Sequence, residues 1–300
     1  MTAGQGQAAR SAAVRVRTPA IRRILLGARL RRLRELKGLS REEAGYAIRG
    51  SHSKISRMEL GRTAVKERDL DDLLVLYGVT DDAERGALLR LAREGNARGW
   101  WHRYGDVIPA WTHQYLDLEE AAASIRVYDP CQIPDLLQTE EYARASLAIR
   151  DGIRSGETVL EMEERIGARL MRQRLFKRST GRTLSAVVDE AALRRFLGGP
   201  DLMRGQLEHL ASLSGSDRVD VRIMPALRRP VVTATRAFTV LRFQEQAVPD
   251  VVYVDMLTTA LYLDKPTERR AYERIWDRLA AQCLPPAASR RFLDELLASL

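Results

Sequence analysis

Cysteine is scarce in this chain: Cys131 and Cys283 stand alone among 300 residues. The four histidines, at 52, 102, 113 and 209, are equally scattered. No Cys/His group has metal-ligand spacing, so neither a metal nor another cofactor is expected. Two lone thiols suit a reducing cytosol. No apolar run approaches the roughly 18 residues of a membrane span. The basic start lacks the apolar stretch of a signal peptide, and a cytoplasmic, nucleoid-associated protein is the expectation. Also missing are a phosphate-cradling glycine loop and a Ser-His-Asp order with supporting glycines, so no enzyme is expected.

Apolar residues make up 45% of the chain, enough for two domains with cores of their own. The net charge of +9 is concentrated at one end. Residues 1–80 hold 17 Lys and Arg against 8 Asp and Glu, whereas 81–300 hold 32 of each. A basic segment joined to a neutral one is the footprint of a nucleic-acid reader attached to another domain. A basic membrane-surface helix is the competing reading, and it fails for want of an aromatic-rich amphipathic stripe.

Within the basic segment, Ser51-His52-Ser53-Lys54-Ile55-Ser56-Arg57-Met58-Glu59-Leu60-Gly61 predicts a short helix. Ser51 is its N-cap, Ile55 and Met58 give it one apolar face, and Gly61 stops it. The other face carries hydrogen-bonding and cationic side chains, which suits insertion into a DNA major groove. Upstream, Ser40 and Glu43 form a capping-box pattern for a helix running to about Ile48, with Arg49-Gly50 as the turn between the two. Gly45 leaves room for the second helix to pack closely, as a helix-turn-helix requires. An ordinary three-helix bundle with a solvated polar face is the bland alternative.

Residues 24–79 resemble an Xre/Cro-type helix-turn-helix. The resemblance rests on Ile24-Leu25-Leu26-Gly27, Gly38-Leu39-Ser40, Ser53-Lys54-Ile55-Ser56-Arg57-Met58-Glu59 and Leu76-Tyr77-Gly78-Val79. It implies that Arg34 pairs with Glu59, tying the first helix to the end of the recognition helix. The departure lies in the turn, where Gly50 follows Arg49 although the usual glycine sits one position earlier. His52 and Ser53 are the leading base-edge readers, and Arg57 is placed to grip a guanine. Ser51, Lys54 and Ser56 complete the expected DNA-contacting set, with Lys54 and Ser56 reaching bases or phosphates. Arg41 is assigned a phosphate, helped by the amides at its own helix start, and Arg62 and Lys66 flank the groove.

The expected fold class is mainly α plus α+β. A disordered basic tail covers 1–20, and a five-helix helix-turn-helix bundle covers 21–97. An aromatic-rich linker and helical region spans 98–180, with Gly105 and Pro109 breaking it and helices over Leu116–Val127, Thr139–Arg150 and Gly156–Arg178. An α+β domain with a mostly antiparallel sheet spans 181–300, its strands near 184–188, 219–224, 238–243, 251–254 and 260–263. Trp100, Trp101, Tyr104, Trp111 and Tyr115 form either an interdomain core or the walls of a ligand pocket, the former preferred. Asp189-Glu190 after a strand reads as a helix cap rather than a catalytic pair.

The second half also resembles a family. Leu118-Glu119-Glu120-Ala121-Ala122, Ile133-Pro134-Asp135-Leu136-Leu137-Gln138-Thr139, Tyr142-Ala143-Arg144-Ala145, Met171-Arg172-Gln173-Arg174, Val188-Asp189-Glu190-Ala191-Ala192-Leu193 and Asp250-Val251-Val252-Tyr253-Val254 are similar to the DUF5753 domain of actinomycete Xre-type regulators. The two resemblances together imply a regulator of transcription, repressing more readily than activating. Its partners would be double-stranded DNA, a second copy of itself, and a small DUF397-type protein or a small-molecule effector. The alternative is an antitoxin-like module whose second domain binds a small protein, with DNA secondary. A DNA-tethered enzyme built on Asp189 is a third.

Overall fold

The computed structural model describes residues 18–151, 158–195, 197–226 and 236–300. The chain divides into two units. One holds the chain up to His102 with Leu116–Ala121 and Glu245–Val248; the other holds Arg103–Tyr115, Ala122–Gln244 and Pro249–Leu300.

Five helices build the first unit: α1 (Pro19–Leu36), α2 (Arg41–Ala47), α3 (His52–Glu59), α4 (Glu67–Leu76) and α5 (Asp82–Gly95). Of the tail expected over 1–20, residues 1–17 lie outside the described residues, and 19 and 20 belong to α1, with Pro19 at its first turn. The caps follow the sequence signals. Ser40 and Glu43 form the reciprocal capping box of α2, Ser51 accepts from the Lys54 amide, and Asp81 accepts from the Glu84 amide at 2.8 Å. The core gathers Leu26, Leu30, Ala44, Ile48, Ile55, Met58, Leu70, Leu73, Leu74 and Leu88 from all five helices. Each fully buried Leu, Ile or Met contributes about 1.5–3 kcal/mol of transfer free energy, so helices too short to persist alone are held by this packing.

Beyond them, short 3₁₀ turns at Trp100–Tyr104 and Ala110–Thr112 lie on either side of the Gly105–Pro109 break, and α6 spans His113–Ala121. In the second unit β1 (Ser124–Asp129) is followed by α7 (Glu140–Asp151) and α8 (Val159–Arg178). Next come β2 (Thr183–Asp189), α9 (Glu190–Leu193), α10 (Pro200–Leu213) and β3 (Val219–Met224). The chain closes with β4 (Phe238–Arg242), β5 (Val251–Asp255), β6 (Ala260–Leu263), α11 (Pro266–Gln282) and α12 (Pro286–Ala298).

Two expectations are corrected here. The helix expected over Leu116–Val127 ends at Ala121, and Ser124–Asp129 is a strand. Nor is the sheet mostly antiparallel. It is mixed, in the order β3-β2-β1-β4-β5-β6, with β1–β2 and β2–β3 parallel and β1–β4, β4–β5 and β5–β6 antiparallel. Both corrections have one cause. β1 is a central strand, with Val127 opposite Ala186 on one side and Thr239 on the other. Parallel neighbours need long crossovers, and α7–α8 and α10 supply them. The α+β unit therefore draws a strand and its crossover helices from the region 98–180.

Buried on both faces, β2 is a near-continuous apolar run, Leu184, Ala186, Val187 and Val188. One face packs Tyr128, Val187, Phe238, Val240, Val252 and Val254 against Trp276 and Leu279 of α11. The outer edge of β3 is closed, since the Ile223 amide donates to Ser289 Oγ and the Leu284 amide to the Ile223 carbonyl.

Candidate nucleic-acid interface

Helix α3, the expected recognition helix, is fixed from behind. Ile55 and Met58 are each 1% exposed in the core, while His52, Ser53 and Arg57 are exposed on the opposite side. Its end closes as a Schellman turn: the Gly61 amide donates to the Met58 carbonyl at 3.0 Å and the Arg62 amide to that of Arg57 at 2.9 Å.

The charged clamp implied by the resemblance is present, and it is larger than expected. Glu59, buried at the last turn of α3, accepts from Arg34 Nε at 2.5 Å and from a second Arg34 nitrogen at 3.2 Å. The third Arg34 nitrogen donates to the Leu39 carbonyl at 2.7 Å. Hydrogen bonding to Glu59 raises the Arg34 pKa above its ordinary value. Arg41, assigned a phosphate on sequence grounds, also donates to Glu59, at 2.9 Å.

Two glycines set the depth of α3. A Cβ on Gly27 would stand 2.4 Å from the Met58 carbonyl oxygen and 2.5 Å from that of Glu59, so α1 and α3 meet backbone to side-chainless backbone. A Cβ on Gly45 would lie 3.0 Å from the Gly50 oxygen, which is the close approach expected of the turn. Gly27→Ala must push α3 off α1, and a loss of about 1–3 kcal/mol is expected in urea unfolding. An unchanged midpoint would show that the helices are free to separate.

The remaining candidates differ in their exposure and in their contacts. Ser51 is the cap of α3. Lys54 donates to Asp69 of α4 at 2.6 Å. His52 Nε2 lies 3.9 Å from Glu42. Ser56 is half-buried, whereas Ser53, Arg57, Arg62 and Lys66 are exposed. The partners of Arg41 and Lys54 lie on other helices, and nothing in their own stretch announces them.

The aromatic cluster is divided, with Trp100 and Trp101 in the helical unit and Tyr104, Trp111 and Tyr115 in the other. In the sheet unit, Tyr115 stacks on Tyr253 with ring centroids 4.1 Å apart, and the Tyr262 hydroxyl donates to the Trp111 carbonyl at 2.6 Å. Arg103 lies over the Tyr104 ring at 4.8 Å. In the helical unit, Trp101 Nε1 donates to Asp117 at 2.8 Å, and Arg23 reaches the same carboxylate at 3.5 Å.

Asp117 is 0% exposed, and desolvation, outweighing the Trp101 bond and the attraction of Arg23, raises its pKa above the usual 3.8. The folded unit keeps this proton at pH values where the unfolded chain has lost it. Stability relative to Asp117→Asn is therefore expected to fall as pH rises from about 3.8 through the raised folded value and then to level off. Urea titrations of both proteins across the acid range measure this; a relative stability that climbs with pH would mean the anion is the favoured form.

The second unit's motif residues build scaffolding. Gln173 donates to the carbonyls of Asp135 and Gln138 at 2.8 and 2.9 Å, Arg172 to the Asp135 carboxylate at 2.8 Å, and Arg169 to Gln138 Oε1 at 2.7 Å. Gln206 clamps the other side, donating to the Leu137 carbonyl at 2.8 Å and accepting from the Thr139 amide at 2.7 Å. Asp189 accepts from the Ala191 amide at 2.8 Å, the cap read from the sequence. Among the described residues, no group of three or more His, Cys, Asp or Glu is placed to hold a metal ion, and no helix is long and apolar enough to cross a membrane.

Among known proteins, no curated protein and no solved structure matches the chain. Two family models do. One, described as a helix-turn-helix domain, matches residues 25–88, the stretch that carries α2, α3 and the Glu59 clamp, and places the chain among DNA-binding regulators. The other, described as a domain of unknown function, covers residues 112–295, more than half of the chain, so this protein belongs to the DUF5753 family, with a helix-turn-helix domain ahead of it.

Proposed function

We propose that the protein is a sequence-specific transcriptional regulator that lays α3 in the major groove of double-stranded DNA. What carries this reading is the two-sided character of α3. One side is locked by the core and by Glu59, while the other offers His52, Ser53 and Arg57 to solvent. A helix held so rigidly presents its donors in one fixed register, which base readout needs. His52 and Ser53 on the first turn meet base edges, and Arg57 grips a guanine through O6 and N7. Arg62 and Lys66 contact phosphates.

The protein acts as a dimer on two-fold symmetric half-sites roughly 34 Å apart, since one recognition helix covers only a few base pairs. It represses by occupying promoter DNA, and the DUF5753 domain supplies the surface for an effector or a small protein partner. The first test is fluorescence anisotropy of the full chain on duplexes from the intergenic region upstream of its own gene, against scrambled duplexes, across salt. An upstream preference of about 10³-fold or more is expected. Equal binding to both at physiological salt would sink the reading.

A further inference from the structure

Four helices of the first unit, α1 to α4, end in the same backbone device, with one residue in the left-handed conformation whose amide and the next one turn back onto the last carbonyls. Three of these residues are Gly38, Gly61 and Gly78, at φ 67, 66 and 70°. The fourth is Arg49, at φ 51°. Its amide donates to the Tyr46 carbonyl at 3.0 Å and that of Gly50 to the Gly45 carbonyl at 2.8 Å, the same pattern as at the glycines. Among the described residues Arg49 is the one non-glycine with positive φ. A side chain with a Cβ is strained there, and glycine, which the domain uses at the other three ends, would not be.

What arginine offers at that cost is charge. Arg49 is exposed and lines, with Lys66 and Arg68, a groove of about 630 Å³ whose lining also includes Ala47, Ile48, Val75 and Leu76. Two acids face the same groove, but Asp69 is held by Lys54 at 2.6 Å, which leaves Asp72 against three cations. The turn runs directly into Ser51 and His52, the first residues of the recognition helix. Phosphates of the strand bordering the major groove pass beside that helix start.

Taking α3 as the DNA reader, we infer that Arg49, with Lys66 and Arg68, forms a row of contacts to the DNA phosphate backbone, and that the left-handed turn gives up stability to place a cation there. The full chain is compared with Arg49→Gly, Arg49→Asn and Arg49→Lys, by thermal unfolding and by anisotropy across salt on upstream and scrambled duplexes. Asparagine tolerates the left-handed conformation and keeps a Cβ, so it controls for the extra unfolded-state freedom of glycine. Gly and Asn variants are expected to melt at or above the wild-type temperature. They should nonetheless bind both duplexes several-fold more weakly near 0.1 M salt, with a log–log salt slope shallower by about one. Arg49→Lys should keep the slope. A Gly variant with wild-type affinity and slope overturns the inference. Absence of upstream preference in the wild type would instead sink the α3 reading, and the slopes on scrambled DNA would still decide Arg49 separately.

Discussion

Replacing Glu59 with glutamine is expected to destabilise the helical unit by about 3–5 kcal/mol, the largest effect of any single change at the interface. Glu59 and Arg34 are 5% and 7% exposed, so the guanidinium left behind keeps only the exposed Glu35 carboxylate, at 3.7 Å, and little water to compensate its charge. A domain of this size has only about 5–15 kcal/mol in total, so the loss removes a large share of it. Arg34→Ala should cost nearly as much, because the buried carboxylate is left with only the partly exposed Arg41 at 2.9 Å. Arg41→Ala should cost much less, because the Arg41 side chain is 31% exposed and Glu59 retains Arg34. Urea unfolding of the full chain, with amide exchange in α1 and α3 to assign the transition, gives the three values. Equal losses for Arg34→Ala and Arg41→Ala, or a loss under about 1 kcal/mol for Glu59→Gln, would mean the clamp does not hold α3 in place.

Arg57→Ala is expected to cost about 1–3 kcal/mol of discrimination, or about 5- to 150-fold in the ratio of upstream to scrambled affinity. The side chain is exposed on the last turns of α3, and its removal leaves the core residues Ile55 and Met58 untouched, so thermal stability should stay close to wild type. The salt slope separates base reading from phosphate binding. A base contact leaves it nearly unchanged, whereas Lys66→Ala should weaken both duplexes alike and flatten the slope by about one. If Arg57→Ala behaves as Lys66→Ala does, Arg57 is a phosphate contact and the bases are read from the first turn of α3.

The clamp and the exposed face assign different work to residues a few positions apart. Glu59 and Arg57 sit on one helix, yet one is buried in the clamp and the other, exposed, is the residue proposed to set what the helix recognises. Arg41 belongs with Glu59: its hydrogen bond places it among the residues that position α3, although its spot at the start of α2 suits a phosphate. A DNA phosphate and Glu59 would compete for that guanidinium. An Arg41→Ala variant whose salt slope falls by about one would show that DNA wins the competition.

The signals legible in the sequence are those that act within a few residues. Ser40 with Glu43, Ser51 and Asp189 announce helix starts because their side chains bond amides two or three positions on. Gly61 announces a stop because the left-handed conformation disfavours a Cβ, and the spacing of Ile55 and Met58 gives the buried face of α3 for the same local reason. The excess charge of 1–80 likewise needs no fold to be seen.

What only the tertiary structure decided depends on which distant segment lies alongside. Ser124–Asp129 carries Ile125, Val127 and Tyr128, apolar spacing that fits the end of a helix as well as a strand; pairing with β2 and β4 settles it, and with it the parallel half of the sheet. Arg49 looks like an ordinary turn residue until its left-handed φ sets it beside three glycines. The partners of Arg41 and Lys54 come from the far end of α3 and from α4, 18 and 15 positions along the chain. Backbone geometry is written into neighbouring residues, whereas ion pairs and strand order arise when packing brings together groups that have no local way of signalling one another.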